Sequence, residues 1–318
     1  MTEVPGASST PATGSSGSTA ATNGEAGAHE VRALPFGTRL ADAMDVHGPL
    51  CVGIDPHPSL VHEWGLPDGV PGLRELALRT LEAVGPHVAA VKPQAAFFER
   101  WGSQGVAVLE EVVATARAAH VLCIVDAKRG DIGSTMEGYA DAFLDPASAL
   151  AGDAVTVSPY LGYGSLAPAV RLAQASQRGV FVLALTSNPE GAEVQHARNE
   201  SGTSVAATIA AHAAADNAAE IAVGARLGSV GLVTGATIGG AASQVGADLA
   251  AVHGPLLAPG IGEQGGRPAD LRATFGAALP AVLASASRSI LRLGPTPARL
   301  VEGTRRLAAE LAAATGRA

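Results

Sequence analysis

The chain has 318 residues, of which 47% are hydrophobic and 16% charged, with a formal net charge of −8. Such a length and apolar content allow one large α/β core, and the acidic balance excludes nucleic-acid binding by bulk electrostatics. No apolar stretch approaches the roughly 18 residues of a membrane span, so no membrane association is expected.

Residues 1–32 are dominated by Ser, Thr, Ala, Gly and Pro without periodicity, and the first Lys or Arg is Arg32. This composition predicts a disordered tail ahead of a domain over residues 33–318. With no Lys or Arg before Arg32 and no apolar h-region, the tail does not read as a signal or transit peptide. Cys51 and Cys123 each lie in an apolar run. They read as buried free thiols in a reducing cytoplasm.

Eight short apolar runs then recur, at 50–54, 88–91, 121–125, 154–157, 180–185, 229–233, 255–258 and 281–284. Amphipathic or Ala-rich stretches separate them. In 104–120, Val108, Leu109, Val112, Val113 and Ala116 share one helical face. Pro297 is placed to open the last helix. Strands alternating with helices predict a (β/α)8 barrel, with a doubly wound open sheet as the alternative.

Polar residues follow nearly every run: Asp55, Lys92, Asp126 with Lys128, Ser158, Thr186, Thr234, the segment 259–262, and Ser287 with Arg288. In a barrel these converge on the C-terminal mouth, where active sites form. The segment Asp126-Ala127-Lys128-Arg129-Gly130-Asp131 is the richest. A lysine between carboxylates keeps its proton, which suits a proton donor better than a Schiff-base nucleophile. The competing reading is a surface salt-bridge cluster.

Pro259-Gly260-Ile261-Gly262-Glu263-Gln264-Gly265-Gly266 follows the seventh run. Its glycines allow backbone N–H groups close to an anion, and Arg288 beyond the eighth run offers a planar fork for phosphate oxygens. Neither a P-loop nor a dinucleotide fingerprint is present. The histidines, among them His57, His62, His87, His120, His196 and His212, have no metal-ligand spacing, so no metal site is expected. Residues 191–204 read as a long exposed loop, and Glu263 as a side chain directed to solvent.

Together the segments 53–58, 91–94, 126–135, 158–162, 186–191 and 259–266 resemble the orotidine 5′-phosphate decarboxylase family, in particular its longer bacterial subgroup. The resemblance covers roughly residues 33–318. It implies a cofactor-free (β/α)8 enzyme that acts as a homodimer with shared active sites and converts orotidine 5′-monophosphate to UMP and CO2 in pyrimidine synthesis. It further implies that Lys128 protonates C6 of the pyrimidine. Asp126 would lie beside the departing carboxylate. Lys92 would hold Asp126 and reach the ribose, and Asp55 would bond ribose hydroxyls. Asp131, Ile132 and Thr135 would enter the partner subunit's site. Gln264 and Arg288, with Gly260 and Gly265, would hold the phosphate, and Ser158 would touch the pyrimidine. Ser287 stands where many members have glycine. Two rivals remain: an Mg2+-dependent sugar-phosphate enzyme on the same scaffold, and a phosphate-ligand binder without catalysis.

Overall fold

In a computed structural model that describes residues 34–317, the eight apolar runs become parallel strands: β1 Leu50–Ile54, β2 Ala90–Pro93, β3 Ile124–Arg129, β4 Ala154–Val157, β5 Gly179–Leu185, β6 Val230–Thr234, β7 Leu256–Pro259 and β8 Val282–Ala286. Their order is β2-β1-β8-β7-β6-β5-β4-β3. Bridges Val91↔Cys123 and Gln94↔Asp126 bring β2 beside β3 and complete the ring. Pairing of β1 with β8 rules out the doubly wound alternative and gives the (β/α)8 barrel. The predicted tail, residues 1–32, lies outside the described residues. Among those described, no helix is long and apolar enough to cross a membrane.

Strand side chains alternate between two apolar layers. Leu50, Val52 and Ile54 face the surrounding helices, as do Val91, Val125, Val155 and Val157. Cys51, Ala90, Ile124, Ala154, Phe181, Val233, Leu257 and Leu283 point into the barrel. Helix Phe36–His47 closes the bottom of that interior with Phe36, Leu40 and Met44. Phe36 meets Phe181 edge-on at 5.9 Å. Gly179 makes room for this plug, since a Cβ there would lie 2.2 Å from the Phe36 ring.

The same alternation lifts the polar residues to the opposite end. Two positions beyond Ala90 comes Lys92, two beyond Ile124 comes Asp126, and two beyond Ala154 comes Thr156. The interior therefore changes from alkyl to charged within one layer. For this reason β2 and β3 extend further than the apolar runs predicted. Lys92, Asp126 and Lys128 lie within the strands, not past their ends.

Both cysteines are buried and free. Burial pushes the Cys51 thiol up to about 12. Residues 191–204 are more ordered than a plain loop. They hold helix Gly191–Gln195 and an Arg198↔Ser204 bridge. Ser204 then caps helix Val205–Ala222, accepting a bond from the Ala207 N–H at 3.0 Å.

Candidate active site

Asp126 is the hub of the barrel mouth. It is 5% exposed and accepts four hydrogen bonds. Lys92 Nζ lies 2.7 Å from Oδ2 and Lys128 Nζ 2.6 Å from Oδ1. Gln94 Nε2 donates to Oδ2 at 3.0 Å and Thr156 Oγ1 to Oδ1 at 2.8 Å. Thr156 in turn accepts the Lys128 backbone N–H at 3.0 Å, so one hydroxyl ties the lysine's backbone to the carboxylate.

Burial works against charge here and is overruled. By itself it would raise the Asp126 pKa, but the two ammonium groups hold the carboxyl well below its usual range. Burial likewise disfavours the Lys92 ammonium. Asp126 and Asp55 outweigh that and raise its pKa above the ordinary lysine value. Both groups are thus charged at neutral pH, without rearrangement.

Lys128 differs from Lys92 in exposure and in backbone. Its side chain is 45% exposed, against 7% for Lys92. Its φ of 47° lies in the left-handed region, which non-glycine residues enter at a cost of about 1–3 kcal/mol. The strain coincides with an irregularity in β3. Val125 pairs with Val155, whereas Arg129 pairs with Val157, so Asp126-Ala127-Lys128 bulges out of register. The bulge presents Asp126 and Lys128 together at the mouth.

Asp55 stands across from Lys92 on β1's end. Its Oδ1 is buried without a hydrogen-bond partner, so it offers a free acceptor to a ligand hydroxyl. Asp131, Ile132 and Thr135 do not join the cluster of their own chain. Asp131 Oδ1 accepts the Ile132 N–H at 2.8 Å, and Ile132 is 61% exposed ahead of helix Gly133–Leu144. Ser158 is not among the hydrogen-bond partners of Asp126. It lines a cavity of ≈ 560 Å³ with Tyr163, Leu183 and Asn188.

The glycine segment folds as the sequence suggests. Gly260, Gly262 and Gly265 have φ of 114°, 83° and 85°. Gly266 N–H donates to Gly260 O at 3.0 Å, closing a tight loop. Gln264 reaches across the mouth and accepts a bond from Ser187 Oγ at 3.0 Å. Glu263 is exposed on this loop, as expected, but not unpartnered. Its carboxylate pairs with Arg292 at 2.6 Å and with Arg288 at 3.5 Å. Ser287 fits because Gly53 opposite has no side chain: a Cβ there would lie 2.8 Å from Ser287 Cβ.

Four residues near the site escaped the sequence reading. Gln94 and Thr156 were detectable, being two positions from Lys92 and Ser158 on inward faces. Ser187 stood in a segment already singled out. Arg292 lies four residues after Arg288, a spacing that puts both on one helical side.

Residues 48–300 match the model of the orotidine 5′-phosphate decarboxylase / HUMPS family. A Streptomyces coelicolor protein named orotidine 5′-phosphate decarboxylase is 58% identical over 87% of this chain and 97% of its own. One of the same name from Salinispora tropica is 56% identical over 88% and 98%. Among solved structures, a Streptomyces avermitilis chain superposes with TM-score 0.84 at 58% identity, covering 89% of this chain and 96% of its own. The Leishmania donovani OMP decarboxylase superposes with TM-score 0.69 at 30% identity, covering 89% and 100%. With a matching barrel, and with family likeness over most of its length, this chain belongs to the orotidine 5′-phosphate decarboxylase / HUMPS family.

Proposed function

We propose that the chain converts orotidine 5′-monophosphate to UMP and CO2, with Lys128 as the proton donor. The observation that carries this reading is a buried carboxylate held between two ammonium groups at a barrel mouth. Loss of CO2 leaves an electron pair in an sp2 orbital at C6, which the ring cannot delocalise. A fixed cation beside C6 stabilises that charge as it develops, then delivers the proton. Lys128 suits this role, being exposed to the mouth and oriented by Asp126. Lys92 is too deeply buried to follow a reacting atom. It acts by fixing Asp126 and reaching the ribose. Asp55, with its unpartnered Oδ1, takes a ribose hydroxyl. The Gly260–Gly266 loop, Gln264 and Arg288 receive the phosphate, whose binding energy is used far from the bond that breaks. Ser158, just past the end of β4, contacts the pyrimidine.

Asp131, Ile132 and Thr135 serve the partner subunit's site in a homodimer. That Asp131 is bonded to the Ile132 N–H rather than ion-paired with its own chain's Lys128, and that Ile132 is 61% exposed, supports this reading. Mixing Lys128→Ala with Asp131→Ala protein is expected to restore up to about a quarter of wild-type activity, because random exchange gives half hybrid dimers, each with one intact site. No recovery, despite mass-spectrometric evidence of exchange, would place Asp131 in its own chain's site.

The activity itself is tested by following orotidine 5′-monophosphate absorbance with the purified full chain, with and without EDTA. Chelator-insensitive formation of UMP is expected. Turnover that EDTA abolishes would favour an Mg2+-dependent reaction, and nucleotide binding without turnover a non-catalytic role.

A further inference from the structure

Glu263 occupies an unfavourable place for an acid. It sits in the glycine loop above Arg288, the guanidinium read here as the phosphate holder. A carboxylate beside an incoming phosphate repels it. The geometry nevertheless keeps Glu263 there. Gly262, with φ of 83°, lies against Ser289, whose side-chain atoms would be 2.8 Å from a Cβ at that position. The next residue is thereby carried over helix Arg288–Leu291. Gln264 on its other side is anchored to Ser187.

The two ion pairs are unequal. Glu263 is 2.6 Å from Arg292 but 3.5 Å from Arg288. The nearby Arg267 and Asp270 are paired with each other at 2.9 Å and leave this balance unchanged. Two guanidinium groups therefore share one carboxylate, and the looser contact is the one to the phosphate holder.

We propose that Glu263 is a built-in competitor for the substrate's phosphate, releasing Arg288 to it while staying tethered to Arg292. This inference rests on the assignment of Arg288 to the phosphate. A dianion displaces the looser contact first, and Arg292 prevents the freed carboxylate from remaining beside it. The device lowers affinity for phosphorylated ligands, product included, and so favours release. It also ties the loop to β8's end through side chains a ligand can exchange.

The test is the equilibrium affinity for UMP and for uridine, by calorimetry at fixed ionic strength, in wild type, Glu263→Gln, Arg288→Ala and the double variant. Glu263→Gln is expected to tighten UMP binding roughly two- to fivefold, the range that an exposed ion pair is worth, and to leave uridine unaffected. That gain is expected to vanish in the Arg288→Ala background. Unchanged or weaker UMP binding in Glu263→Gln would overturn the proposal, since a residue that orients Arg288 gives that sign. Arg288→Ala binding UMP as tightly as wild type would instead refute the phosphate assignment beneath it. Because Glu263 is on an exposed loop, equal thermal midpoints check that folding is not the cause.

Discussion

Lys128→Ala is expected to lower kcat by at least about 10⁴-fold while leaving the fold intact. Two effects are lost together. A positioned general acid contributes about 10²–10⁴-fold, and a preorganised charge at the developing anion about 10²–10³-fold. They reside in one ammonium, so no second group compensates. Lys92 cannot, because its side chain is buried against Asp126 at 2.7 Å. Stability is expected to change little, since the Lys128 side chain is 45% exposed and its left-handed backbone is strained with either residue. Steady-state kinetics beside a thermal melt separate the two quantities. Turnover within tenfold of wild type would remove Lys128 from the reaction.

Asp126→Asn is expected to damage both activity and folding. Asparagine keeps the size and can still bond Thr156 or Gln94, but it removes the hydrogen-bonded counter-charge of the 6%-exposed Lys92 and leaves it only Asp55. Removing one partner of a buried ion pair costs about 3–5 kcal/mol. Adding Lys92→Met is expected to recover much of that stability and none of the activity, because a buried pair is often replaceable by apolar packing. The pH dependence follows from the signs of the two shifts. Asp126 has a lowered pKa, so its contribution is full above the ordinary carboxylate value near ~3.9 and is lost as pH falls toward its folded value. Lys92 has a raised pKa, so its contribution is full below the ordinary value near ~10.4 and is lost only as pH rises through its folded value. The stability gap between wild type and Asp126→Asn should be flat from about pH 5 to 9 and narrow below about pH 4. Denaturant titrations across that range measure it. A gap that widens on acidification would contradict the assigned signs.

The barrel was legible because its strands are buried on both faces and read as continuous apolar runs. Those runs also set the limit of what could be read. Lys92 and Asp126 look like strand ends by hydropathy, yet they continue the ladder as the interior turns polar. The β3 bulge left no apolar signature, so the strained φ of Lys128 could not be foreseen. Gln94 and Thr156 are uncharged and were passed over, although their two-residue spacing from Lys92 and Ser158 gave them the same inward face. The ion pairs of the exposed Glu263 were hidden for a different reason. Its surroundings in sequence are glycines, whereas its partners Arg288 and Arg292 come from the next strand's end. The loop's path past Ser289 brings them together. Asp131 shows the converse, since a charge close to Lys128 in sequence is bonded to the Ile132 N–H ahead of helix Gly133–Leu144 and forms no ion pair with Lys128.

The central claim, that an ammonium at position 128 drives decarboxylation, is tested most directly by removing and rebuilding that ammonium. Lys128→Cys places a thiol at a half-exposed position, whereas Cys51 and Cys123 are buried with raised pKa values and resist alkylation. Treatment with 2-bromoethylamine then restores a side chain of lysine length that ends in an ammonium. The account predicts that kcat for orotidine 5′-monophosphate is lost in Lys128→Cys and recovers by at least about 10²-fold on modification, the scale of a regained general acid. Protein fully modified by mass, correctly folded and still inactive would contradict it.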